Sequence, residues 1–140
     1  MINVVLVHPE IAPNTGNVIR LCANTGAHLH LVEPLGFELD APRLRRAGLD
    51  YHEFATIRVH ADWPSFLERE RPRRRFALTT RAQRRPTDAA FERGDYLVFG
   101  CETRGLPEAI LDEFAPTQRP VSYTPLRAQE TALDLVCRLL

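Results

Sequence analysis

The first thirty residues restrict the fold more than any other stretch of the chain. Ile2-Asn3-Val4-Val5-Leu6-Val7 is short, apolar and β-branched, the pattern of a strand buried on both faces. His8 to Pro13 turns the chain, with Pro9 and Pro13 opposing helix. Asn14-Thr15-Gly16-Asn17-Val18-Ile19-Arg20-Leu21-Cys22-Ala23-Asn24-Thr25-Gly26 follows. A helix is expected from about Thr15 to Thr25, capped by Asn14 or Thr15 and ended by Gly26 in the left-handed conformation. Val18, Ile19, Cys22 and Ala23 form one apolar stripe at helical spacing. A strand feeding an amphipathic helix through a small polar mouth calls for an α/β fold.

The rest of the chain repeats that alternation. His28-Leu29-His30-Leu31-Val32-Glu33 reads as a strand stopped by Pro34, and Pro42 to Gly48 as a short basic helix. Ile57 to His60 is a brief strand, and Asp62 caps a helix through about Glu70. Phe76 to Thr80 and Asp95 to Phe99 are two further strands, with polar, irregular sequence from Arg81 to Arg93 between them. Pro107 starts a last helix through about Phe114. Strands alternating with helices predict one α/β domain with a mainly parallel sheet flanked by helices. Ligands of such sheets bind beyond the carboxyl ends of the strands. Three polar segments fall there: Pro13–Asn17, Thr79–Arg81 and Gly100–Gly105.

Charge sharpens the range of partners. The net charge is zero, yet all 18 basic residues are arginine. Seven lie between Arg71 and Arg85, and three more are Arg43, Arg45 and Arg46. Neutrality argues against a histone-like binder, while clustered arginines allow a local phosphate-binding face. A plain solvated surface is the alternative. Cys22, Cys101 and Cys137 are widely spaced and odd in number, which suits a reducing cytosol and provides neither a disulfide framework nor a zinc site. The first apolar run is too short for a signal sequence or membrane span, so a soluble, cytoplasmic protein is expected.

The common nucleotide-binding and nucleophile-elbow motifs are missing from the sequence. His28 and His30 share a strand face, but two histidines without a third ligand fit core or surface positions better than a metal site. Gly100-x-Glu102-x-x-Gly105-Leu106-Pro107, directly after an apolar strand, is more informative. Glycine lets backbone approach a ligand closely, and a helix start offers free N–H groups. A plain strand-to-helix turn is the competing reading, since a carboxylate is favoured near a helix start anyway. Arg20 lies one helical turn after Gly16 and Asn17, where it suits a phosphate or a carboxylate, or stands as an exposed helix arginine.

Taken together, these segments resemble a known family. Asn14 to Gly26 resembles the first motif of the SpoU branch of the SPOUT RNA methyltransferases, and Phe99 to Pro107 the second. Arg43-Leu44-Arg45-Arg46-Ala47-Gly48-Leu49-Asp50-Tyr51-His52 and Phe76-Ala77-Leu78-Thr79-Thr80 are similar to its minimal, wobble-modifying members. The resemblance covers about residues 1 to 119 without gaps. It implies a SPOUT-type α/β knot and methyl transfer from S-adenosylmethionine (SAM) to the ribose 2′-hydroxyl of the tRNA wobble nucleotide, a cytidine or modified uridine. It also implies a homodimer and no metal. Arg20 and Asn14 would serve catalysis, and Leu78, Thr79, Gly100, Glu102, Thr103, Gly105 and Leu106 would surround SAM. Asn17, Arg43, Arg45, Arg46 and Arg104 would contact tRNA. Arginine is a poor base, so an orienting and phosphate-binding role is expected of Arg20.

The family's third motif closes the knot, completes the SAM pocket and builds much of the dimer face. After Arg119 the chain instead reads Pro120-Val121-Ser122-Tyr123-Thr124-Pro125-Leu126-Arg127-Ala128-Gln129-Glu130-Thr131, which resembles a translated sequencing-library adapter. The expectation is therefore a methyltransferase domain at 1–119, lacking its knot-forming segment, and a non-family tail at 120–140. Such a chain is expected to be inactive or nearly so. A divergent natural tail, with Leu126, Leu133, Val136, Cys137 and Leu140 on one helix face, is the alternative. A non-catalytic tRNA-binding module and a small-ligand α/β binding protein are the competing functions.

Overall fold

The computed structural model describes residues 2–39, 42, 57–78, 92–101 and 103–114. Its elements are β1 (Asn3–Val7), α1 (Ala12–Thr25), β2 (His28–Val32), β3 (Ile57–His60), α2 (Trp63–Glu70), β4 (Arg75–Leu78), β5 (Tyr96–Phe99) and α3 (Glu108–Leu111). The five strands form one sheet in the order β3-β2-β1-β5-β4. All four pairings are parallel. The chain places β2 and β3 on one side of β1, then β4 and β5 on the other. The order therefore reverses beside β1, where open α/β sheets form a crevice at the carboxyl ends of their strands.

Strand side chains alternate between two covered faces. Val4, Leu6, Leu29, Leu31, Phe76, Leu78, Leu97 and Phe99 meet Val18, Ile19 and Cys22 of α1. Val5, Val7, Val32, Ala77 and Val98 meet Trp63, Phe66, Leu106, Ile110, Leu111 and Phe114. Both sides of β1 are buried, as its unbroken apolar run requires.

Helix α1 starts at Ala12, earlier than the expected Thr15. Pro13 occupies the first turn, where the missing N–H has no intrahelical acceptor and a fixed φ suits the helix. Ile11 is the N-cap and makes no side-chain cap bond, so neither Asn14 nor Thr15 has that role. Pro13 to Asn17 is thus helix, not a loop. The other end is as expected: Gly26 has φ 82° and donates its N–H to Cys22 O. Asp62 caps α2, accepting from the Ser65 N–H at 2.8 Å.

The last helix is shorter than expected, four residues followed by turns to Phe114. The basic Pro42–Gly48 segment beyond Pro42 itself, the stretch from Thr79 to Phe91 and the tail with its expected lack of a knot lie outside the described residues. Among the described residues no helix is long and apolar enough to cross a membrane.

Candidate functional site

The site grows from the loop after β5. A Cβ on Gly100 would stand 2.0 Å from the Gly105 carbonyl carbon and 2.1 Å from the Leu106 nitrogen. Only glycine lets the loop fold back this closely. The fold-back is held by the Gly105 N–H donating to Cys101 O at 3.0 Å. Leu106 drops into the core beneath, and Gly105 takes the left-handed conformation with φ 69°. The opposite side of Gly105 is open: a Cβ there would meet nothing within 4 Å.

Two other loops close on this one. The Thr103 hydroxyl donates to Glu10 Oε1 at 2.6 Å. Glu10 follows β1, so this bond ties the β1 and β5 loops together. The Cys101 thiol, then Thr103, hold the Glu10 carboxyl below the usual carboxylate range, and the Arg104 charge adds to that. The loop after β2 joins through the Gly36 N–H, which donates to Pro9 O at 2.8 Å. The three loops surround a cavity of about 620 Å³ bounded by His8, Glu10, Leu35, Arg104, Gly105 and Pro107, among others. His8 ends β1 at φ 54°, a conformation uncommon for a non-glycine residue. Its Nδ1 is buried without a partner among the described residues, and the residue lines the cavity. Unusual backbone of this kind clusters at functional sites.

Of the expected site residues, Gly100, Thr103, Arg104, Gly105 and Leu106 come together in this loop. Leu78, at the end of β4, pairs with Phe99 and packs in the α1-side core; it is not among the described residues bounding the cavity. Asn14, Asn17 and Arg20 lie on α1, the first and last half-buried and Asn17 exposed. None of the three is among the described residues bounding the cavity. Thr79, Glu102, Arg43, Arg45 and Arg46 lie outside the described residues. His8, Glu10, Leu35, Gly36 and Cys101 complete the site without having been singled out. Their signal was position alone: each follows the carboxyl end of β1, β2 or β5.

Comparison with known proteins agrees with the fold. The tRNA (cytidine(34)-2'-O)-methyltransferase of Burkholderia pseudomallei is 61% identical over 137 residues, covering 96% of this chain and 86% of that protein. The enzyme of the same description from Escherichia coli K12 is 57% identical over 119 residues, 85% of this chain and 76% of that one. A solved structure concerned with 2-OH methylation of C/U34 on tRNA superimposes with a TM-score of 0.84 at 42% identity. That superposition covers 99% of this chain and 93% of that one. Residues 1–119, which contain the whole parallel sheet and the β5 loop, match the SpoU rRNA Methylase family, and the chain belongs to it.

Proposed function

We propose that this protein is a SAM-dependent RNA methyltransferase of the tRNA wobble position, modifying the ribose 2′-hydroxyl of cytidine or a modified uridine and working as a homodimer. The observation that carries the reading is the cavity enclosed by the β1, β2 and β5 loops. Its size falls within the ordinary range for small-molecule sites, about 300–1,000 Å³. The open side of Gly105 is a place that any side chain would fill. Leu35 and Pro107 provide apolar surface, while His8, Glu10 and Arg104 provide polar groups. That mixture fits an amphipathic, nucleoside-containing donor.

SAM supplies a methyl group on a sulfonium, already electrophilic. The chain's task is then mainly placement, which can contribute several kcal/mol to a two-reactant step. Backbone at Gly100, Thr103, Gly105 and Leu106 would hold the donor beside Leu78, with Thr79 and Glu102 from the same two segments. The Glu10–Thr103 bond fixes the loop that does this. Arg20 would orient the acceptor ribose and its phosphate, and Asn14, in the first turn of the same helix, would also serve the acceptor. Arginine remains protonated and cannot itself remove the hydroxyl proton, so the neighbouring phosphate is the assisting group. Asn17, Arg43, Arg45, Arg46 and Arg104 would grip the tRNA backbone, a source of affinity rather than base choice.

We assign the methyltransferase domain to residues 1–119 and no part of the donor site to residues 120–140. A chimera of residues 1–119 with the C-terminal segment of the Burkholderia pseudomallei relative should label tRNA from methyl-tritiated SAM at the wobble ribose. Label on a base, or none from a folded chimera, would refute the reading. In that chimera Arg20→Ala should lower kcat at least about 100-fold with SAM affinity unchanged.

A further inference from the structure

A second group of side chains lies on the α2-side face of the sheet. His30 of β2, His60 of β3 and Glu70 at the end of α2 converge on the face that carries α2 and α3. One donor atom from each lies within 4.8 Å of the other two. His30 Nδ1 is 3.1 Å from His60 Nε2. The same Nδ1 is 3.6 Å from Glu70 Oε1. Ligands about 2.0–2.1 Å from a tetrahedral ion stand roughly 3.3 Å apart, so both spacings lie close to tetrahedral edges. Both histidines are 2% exposed or less.

The surroundings also favour ligation. Asn3 Nδ2 faces Gly94 O at 3.5 Å, which turns Asn3 Oδ1 toward His30 Nε2 at 3.3 Å. With the proton on His30 Nε2, its Nδ1 accepts from the His60 Nε2–H, and a cation would take the place of that hydrogen bond once the His60 proton sits on Nδ1. A carbonyl oxygen on the distal nitrogen is the usual outer support of a metal-bound histidine. A cavity of about 510 Å³ adjoins the cluster, bounded by Asn3, His28, Arg58 and Tyr96 among others, and gives an ion access and room for water as a further ligand. His28, which the sequence pairs with His30, is exposed and is not one of the three.

We propose that His30, His60 and Glu70 form a site for one borderline divalent cation of the Zn²⁺ class, joining β2, β3 and α2. Two imidazoles and one carboxylate are the donor set that selects such an ion over calcium or magnesium. The site lies on the α2-side face, running from mid-β2 at His30 to the carboxyl end of β3 at His60, and none of its three residues is among the described residues bounding the methyl-transfer cavity. Its role is to fasten the β3 edge and α2 to the sheet, not to take part in methyl transfer. Arg58 holds Glu70 by both carboxylate oxygens, Nη1 lying 2.9 and 3.1 Å from them. That guanidinium competes with the cation for the carboxylate.

The test is titration of the full 140-residue chain, stripped with EDTA, with Zn²⁺ against a chromophoric chelator, and with Co²⁺ followed by absorption. One ion per chain should bind, with Zn²⁺ raising Tm and Co²⁺ giving tetrahedral d–d bands without thiolate charge transfer. Glu70→Gln and His60→Gln should each weaken binding at least about tenfold. Arg58→Ala should tighten it at least about tenfold by freeing the carboxylate, a gain that misfolding cannot produce. A wild-type Kd above about 100 μM, a cobalt–thiolate band, or equal affinity in Glu70→Gln and Arg58→Ala would overturn the proposal. If His60→Gln does not fold, those last two variants decide it.

Discussion

Replacing Gly100 by alanine should damage this protein more than its size suggests. The new Cβ would begin 2.0 Å from the Gly105 carbonyl carbon, against about 3.4 Å for an ordinary contact. The loop must therefore open by about 1.4 Å, since both partners are backbone and no side-chain rotation relieves the clash. That movement would stretch the Gly105–Cys101 hydrogen bond from 3.0 Å to beyond bonding distance. Overpacking of this kind costs about 1–3 kcal/mol, and a lost hydrogen bond about 1 kcal/mol more. The expected loss is about 3 kcal/mol. Gly105→Ala is the control: it meets no atom within 4 Å and pays only for its φ of 69°, about 1 kcal/mol. Urea unfolding followed by far-ultraviolet circular dichroism, with the slope m checked for constancy, measures both variants. If Gly100→Ala loses no more stability than Gly105→Ala, the close-packed loop that underlies the site is wrong.

Other consequences are smaller but equally direct. Burial, opposed by Glu70, pushes the His30 imidazole down from 6.5 to about 4. The unfolded chain then binds the proton more readily, so in EDTA this stability is present above pH 6.5 and is lost as pH falls toward 4, by roughly 3 kcal/mol. A chelated protein whose urea midpoint stays flat across that window would contradict this. Burial pushes the Cys22 thiol up to about 12, so iodoacetamide at pH 8 should leave Cys22 unmodified in the native chain and alkylate it in urea, as read by peptide mass mapping. Asp62→Ala removes the bond to the Ser65 N–H and should lower the urea midpoint, while Asp62→Asn, which can still accept that bond, should restore most of it.

Much of the architecture was legible because its causes are local. The unbroken apolar run of β1 marked a strand buried on both faces, and the alternation along His28–Glu33 put His28 and His30 on one face of β2, before any neighbour was known. Gly26 and Asp62 marked helix ends because each acts on backbone within one turn. The start of α1 was misread for a related reason: Pro13 was taken as a barrier, although the first helical turn accommodates proline. The β5 loop was found because its two glycines sit at a strand end, but its partners were not. Glu10 meets Thr103 across 93 residues, and nothing near either one announces the other.

The histidines show the same boundary from the opposite side. Spacing correctly placed His28 and His30 on one face of β2, yet the residues that meet His30 lie on β3 and α2. By itself the sequence determined the strands and helices of the described residues, the apolar stripe of α1 and the glycine-bounded loop after β5, since each depends on chemistry within a few residues. The tertiary structure alone decided the order β3-β2-β1-β5-β4, the bond between Glu10 and Thr103, and the meeting of His30 with His60, 30 residues away. Those depend on which strands lie side by side and in what register, and a local pattern leaves that choice open.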